Sequence, residues 1–127
     1  MPTFFVDRNL GKTFPKILSE NNIDVITYDD MFEQSTPDEE WLEAAGKNGW
    51  YVITLDKRIR YVPVEKEAVK AFNIGLFVLS MKNMSMEERA YIFIKNYRRI
   101  CRFINRTPLP FVATISRTGE INKKDLG

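Results

Sequence analysis

Short apolar runs alternating with amphipathic helical stretches constrain this chain more than anything else in it. Phe4-Phe5-Val6 and Tyr51-Val52-Ile53-Thr54-Leu55 are nearly unbroken apolar runs, as expected of strands covered on both faces. On the same grounds Thr3–Val6, Asp24–Thr27, Trp50–Leu55, Gly75–Leu79 and Pro108–Ser116 read as five strands. Apolar residues at helical spacing predict helices over Leu10–Asn21, from Thr36-Pro37 to Asn48, over Pro63–Phe72 and from Ser85 to Asn105. Thr36, Pro37 and Glu39 read as N-cap, first helical residue and capping-box partner, and Ser85 with Glu88 as a second box. Gly49 suits a left-handed C-terminal cap. Tyr28–Ser35 reads as a loop, and Arg117–Gly127 as a polar turn and tail. This order calls for an α/β fold, a mostly parallel five-stranded sheet with helices on both faces. The 127 residues, 44% of them hydrophobic, suit one domain spanning 1–127.

Three aspartates fall where these elements begin or end. Asp7 closes the first apolar run, Asp56 closes the third, and Asp38 sits in the first turn of the helix opened by Thr36-Pro37. Each has an ordinary explanation, since aspartates favour turns and the positive end of the helix dipole. If the two runs are neighbouring parallel strands, however, their carboxylates emerge at one sheet edge, where open α/β folds place their sites. The chain has no histidine, which rules out, for a chain acting alone, a Ser-His-Asp triad, a Cys-His pair and every histidine-ligated zinc. Converging carboxylates without histidine point to Mg²⁺ or Mn²⁺, ions that take hard oxygen ligands. Cys101 is the sole cysteine, read as a small buried apolar residue in a helix. No segment is apolar enough to span a membrane and the N-terminus lacks signal-peptide character, so a cytoplasmic location is expected.

The segments around these aspartates resemble the PIN-like domains, specifically the compact subgroup of VapC-type toxins from bacterial toxin–antitoxin systems. The resemblance lies in Phe4-Phe5-Val6-Asp7-Arg8-Asn9-Leu10, in Asp38-Glu39-Glu40-Trp41-Leu42-Glu43-Ala44-Ala45, in Gly49 through Arg60, and in Pro63-Val64-Glu65. As a set, D-x-N-L, D-x-x-W and T-x-D-x-x-I-R are fairly specific. They cover roughly the first 80 residues closely and the long helix only in kind. The resemblance implies a three-layer α/β/α sandwich and a metal-dependent endoribonuclease. Its acidic positions fall on Asp7, Asp38 and Asp56, with Glu65 as the candidate fourth carboxylate and Asp30 and Glu39 behind it. Relatives often carry Glu where this chain has Arg8. A cognate antitoxin and a homodimer are further expectations from the resemblance.

Beside these acids, Arg60 and Arg58 could clamp a substrate phosphate or orient a carboxylate, with a solvated charged turn as the plain alternative. Asn9 and Thr54 could hydrogen-bond the carboxylates, although β-propensity alone is the weightier explanation of Thr54. Through Asp56 the chain has 4 Lys/Arg against 11 Asp/Glu, and beyond it 15 against 6. The second half could therefore supply an RNA-facing surface and the first half the acidic site. Lys95, Arg98, Arg99, Arg102 and Arg106 follow three- and four-residue spacing and predict one basic helix face, whether an RNA track, a partner surface or simply solvated. Two alternatives to the nuclease stand beside it. One is a receiver-like domain with Asp56 as phosphoacceptor. The other is a catalytically silent PIN-like module that binds RNA or a partner.

Overall fold

A computed structural model describes residues 1–55 and 63–126, with side chains at all of them except 63–65. Six strands, β1 (Thr3–Val6), β2 (Asp24–Thr27), β3 (Tyr51–Thr54), β4 (Gly75–Ser80), β5 (Phe111–Ser116) and β6 (Ile121–Lys124), form one sheet in the order β2-β1-β3-β4-β5-β6. The first five are parallel, and β6 runs antiparallel to β5. The helices are α1 (Thr13–Glu20), α2 (Tyr28–Met31), α3 (Asp38–Asn48), α4 (Pro63–Ala71), α5 (Met86–Lys95) and α6 (Tyr97–Arg106), with a 3₁₀ turn at Arg8–Leu10.

Alternation along the strands divides the core in two. Phe4, Val6, Ile53, Phe77, Leu79 and Phe111 meet Phe14 and Leu18 of α1, Phe93 of α5, and Ile100 and Phe103 of α6. Phe5, Val52, Leu76, Val78 and Val112 point the other way, toward Tyr28, Trp41, Leu42, Ala68 and Val69. A sheet apolar on both faces must be covered on both, and the result is the expected three-layer α/β/α arrangement. Phe4 meets Phe93 edge-on at 5.3 Å on one side. On the other, Phe5 stacks on Trp41 at 5.4 Å and on Trp50 at 5.8 Å. Gly75 opens β4 where a Cβ would come within 2.7 Å of the Tyr51 and Phe111 rings, so only glycine fits between those aromatics.

Several sequence expectations need correction. The sheet has six strands, because the polar tail turns back at Gly119 (φ 85°) and pairs Ile121–Lys124 with β5. Ser116 holds that turn through the backbone N–H groups of Gly119 and Glu120, donated to its carbonyl and hydroxyl at 2.9 and 3.1 Å. The first helix begins at Thr13, after the 3₁₀ turn, and the loop after β2 contains the single turn α2. The expected Thr36–Glu39 box does not form: α3 starts at Asp38 with Pro37 as N-cap and no side-chain cap. A capping box does form between Thr27 and Asp30, and the expected one between Ser85 and Glu88 is present. Hydrogen bonds from the backbone and hydroxyl of Ser85 hold the Glu88 carboxyl below its ordinary pKa. Gly49 is left-handed (φ 68°), as expected of it.

The long helix is broken at Asn96. Its side-chain amide donates to the Ile92 carbonyl at 2.8 Å, ending α5, while its own carbonyl accepts from Ile100 N–H at 2.9 Å and begins α6. Gly119 sits against the Asn96 amide with no room for a Cβ, so the β5–β6 turn is seated on the break. Cys101 is half-buried, not fully buried.

Tyr97, the first residue of α6, buries a hydroxyl that has no hydrogen-bond partner among the described residues. Burial pushes its pKa up to about 12, and the Cys101 thiol and Asp24 carboxylate add to the shift. The thiol lies one turn on along α6. Tyr97→Phe is expected to stabilise the fold by about 1 kcal/mol, because an unsatisfied buried donor is removed and the ring stays. In the wild type, stability should fall as pH rises between 10.0 and about 12, where the unfolded phenol ionises and the folded one does not. The phenylalanine variant should lose that part of the alkaline decline. Denaturant melts of both proteins at pH 8 and pH 11 check the pair of expectations.

Candidate functional site

The neighbours of β1 are β2 on one side and β3 on the other, so the strand order reverses at β1. In open parallel sheets the crevice beyond the carboxyl ends at such a reversal is where ligands bind. Asp7 is the first residue past β1. Its backbone N–H still pairs with the Ile53 carbonyl at 3.0 Å, and its side chain is only 7% exposed. Thr54, the last residue of β3, is fully buried and donates its hydroxyl to Asp7 Oδ2 at 2.8 Å. Asn9 donates through Nδ2 to Thr54 Oγ1 at 3.1 Å and accepts the Leu55 N–H at 3.2 Å through Oδ1. A carboxylate withdrawn from water needs such donors, and a hydroxyl on one oxygen fixes its plane. Asp7, Asn9 and Thr54 are thus brought together. Asp56, Arg58 and Arg60 lie outside the described residues, as does the side chain of Glu65 in α4.

Asp38 lies at the first position of α3, at the same end of the sheet, because α2 and the loop after it carry the chain from the end of β2 into α3. It is exposed, and its Oδ1 accepts from Trp41 Nε1 at 3.0 Å. Tyr28 shapes the connecting loop by directing its hydroxyl at the carbonyls of Glu33 (2.9 Å) and Thr36 (3.2 Å). Arg8 joins this loop to β1: Nη1 donates to the Gln34 carbonyl at 2.6 Å while the guanidinium lies 5.1 Å over the Tyr28 ring. Glu39 is exposed in the first turn of α3, and Asp30 spends an oxygen on the Thr27 N–H at 3.3 Å.

A cleft of about 590 Å³ opens beside Asp7, between α1 and the β2–α2 connection. Arg8, Lys12 and Lys16 line it on one side, Tyr28, Asp29 and Asp30 on the other. Lys12 and Lys16 add a basic surface in the first half of the chain, beyond the one expected from the second half, and their four-residue separation sets them on one face.

The donors present suit a hard divalent cation. Asp7 offers a carboxylate already oriented by a hydroxyl, and Asp38 offers a second at the same end of the sheet. Asp56 follows Thr54 by two positions in the chain. Among the described residues alone, no three acidic or thiol groups form a metal-holding cluster.

The family model of the PIN-like domain matches residues 2–81, from β1 to just past β4. The chain belongs to the PIN-like family. Members are generally nucleases and typically use divalent metals. The matched span of this PIN-like domain takes in all four expected acidic positions and the cleft, and leaves out α5, α6, β5 and β6. No curated protein and no solved structure matches the chain.

The basic helix face is smaller than its spacing predicts. Arg98, Arg99, Arg102 and Arg106 are exposed on α6, but Lys95 ends α5, across the break at Asn96. Arg99 Nη1 donates to the Gly119 carbonyl at 3.1 Å, so part of its charge holds the β5–β6 turn. Among the described residues no helix is long and apolar enough to cross a membrane.

Proposed function

We propose that this PIN-like domain is a metal-dependent endoribonuclease acting in the cytoplasm as the toxin of a toxin–antitoxin pair of the VapC type. One observation carries the reading: the buried Asp7 carboxylate held by the Thr54 hydroxyl at the reversal of strand order. Asp7, Asp38, Asp56 and Glu65 would hold Mg²⁺ or Mn²⁺. The bound ion would polarise a phosphodiester and lower the pKa of a water.

The chain's own groups have separate tasks. Thr54 donates to Asp7, fixing that carboxylate in plane. Asn9 supports Thr54 from behind and ties the first turn after β1 to the end of β3. Arg60 and Arg58 would meet substrate phosphate. Arg8, where relatives often carry Glu, is turned onto Tyr28 and the Gln34 carbonyl. The exposed arginines of α6 offer a surface to RNA or to an acidic antitoxin segment, and a homodimer is the proposed assembly.

The direct test incubates the full chain with single-stranded RNA in Mg²⁺, in Mn²⁺ and in EDTA. Cleavage with either ion and none in EDTA is expected. Intact RNA under all three conditions would favour the catalytically silent module, to which Arg8 lends support by placing a cation where relatives place an acid. The toxin role predicts a small antitoxin gene in the neighbouring reading frame whose product suppresses the cleavage.

A further inference from the structure

We propose that the cleft beside Asp7 is a single-nucleotide subsite, with the nucleotide's phosphate on Lys12 and Lys16 and its base, guanine in preference to uracil, on Asp29. The proposal rests on the nuclease reading and deepens it by assigning a base preference next to the acidic site. At about 590 Å³ the cleft is in the range of small-molecule sites. It opens on Asp7 itself, so a nucleotide bound there would be continuous with a strand lying across that carboxylate.

Its two walls carry opposite charge. Lys12 and Lys16 stand one helical turn apart, both exposed, and neither forms an ion pair among the described residues. Asp29 faces the same space from α2 without pairing to them. No ion pair joins the opposed charges among the described residues, and a ligand with anionic and donor ends can satisfy both. Arg8 does not serve as the phosphate hook, because the Gln34 carbonyl and Tyr28 ring hold its guanidinium. Half-buried Val25 gives a base an apolar contact, over a floor formed by the buried Val6 and Pro15. Guanine presents two adjacent N–H donors, which a carboxylate can accept together, whereas uracil presents one.

Calorimetric titration of the full chain with GMP and with UMP, in EDTA, tests this without any cleavage. The wild type should bind GMP about tenfold more tightly than UMP, the weight of one added hydrogen bond to a charged group. Lys12→Gln/Lys16→Gln should weaken both nucleotides about fivefold, as two exposed charge contacts would. Asp29→Ala should bring GMP down to the UMP level. All three positions are exposed, and thermal melts verify that the variants fold. Binding of neither nucleotide, undiminished binding by the lysine variant, or a GMP preference that survives Asp29→Ala would each overturn the subsite. A wild type that cleaves RNA with Mg²⁺ yet binds neither nucleotide rejects the subsite and keeps the nuclease. One that binds GMP as described and never cleaves does the reverse.

Discussion

Asp7→Asn is expected to lower metal-dependent RNA cleavage on the order of a thousandfold while leaving the fold intact, a loss at the upper end of those seen when one charge-stabilising group is removed. Asparagine has the shape of aspartate, and its carbonyl can still accept the Thr54 hydroxyl that now reaches Oδ2 at 2.8 Å. What disappears is the negative charge that a divalent ion requires. The isosteric side chain keeps the packing of a site only 7% exposed, so the variant should still melt cooperatively. Lost activity in a variant that still folds separates a functional carboxylate from a structural one. Cleavage within about twofold of wild type, from a variant that melts normally, would place the chemistry elsewhere; a twofold change is near 0.4 kcal/mol.

Trp41→Ala should destabilise the protein by about 3–5 kcal/mol, the range for emptying a buried aromatic site. Trp41 is 1% exposed, stacks on Phe5 and meets Tyr28 with its edge, so its loss opens a cavity on the side of the sheet covered by α3. Trp41→Phe separates two contributions. It keeps a ring against Phe5 and removes the indole N–H that holds Asp38 Oδ1, so it should cost less than alanine by about 2 kcal/mol or more. Urea unfolding of the three proteins gives the comparison. Equal losses for phenylalanine and alanine would mean that the Asp38 hydrogen bond, and not the stacking, dominates.

The strands and their parallel order were legible because β1 and β3 are apolar on both faces, as strands of a covered parallel sheet are, and because helical stretches alternate with them. The polar strand β6 was not legible. Ile121-Asn122-Lys123-Lys124 has no hydrophobic alternation, and the strand exists because Gly119 and Ser116 fold it back onto an already formed β5. Asn96 was hidden for a related reason: the apolar spacing of the helix continues across it, while the break depends on one side-chain amide and on a turn distant in sequence. Thr36 misled because a good capping sequence lost to Pro37, whose extended backbone begins the helix one residue later. At the site, the position of Asp7 followed from the strand that it ends. The cleft did not, since Lys12 and Asp29 come to line one cleft only when α1 and β2 pack side by side.

The bond between Asp7 and Thr54 joins residues 47 positions apart, and parallel strands cannot be paired by a short turn. Closing that interval requires the intervening chain to have been made and β3 to have docked beside β1, a non-local step with the entropic cost of a long loop. A nascent chain that stops before Tyr51 already carries Asp7 and Asp38 but has no hydroxyl to orient the first and no strand to shelter it. Synthesis therefore separates possession of these acidic residues from their assembly, and the ribosome that makes the chain is clear of most of this half before the edge can form.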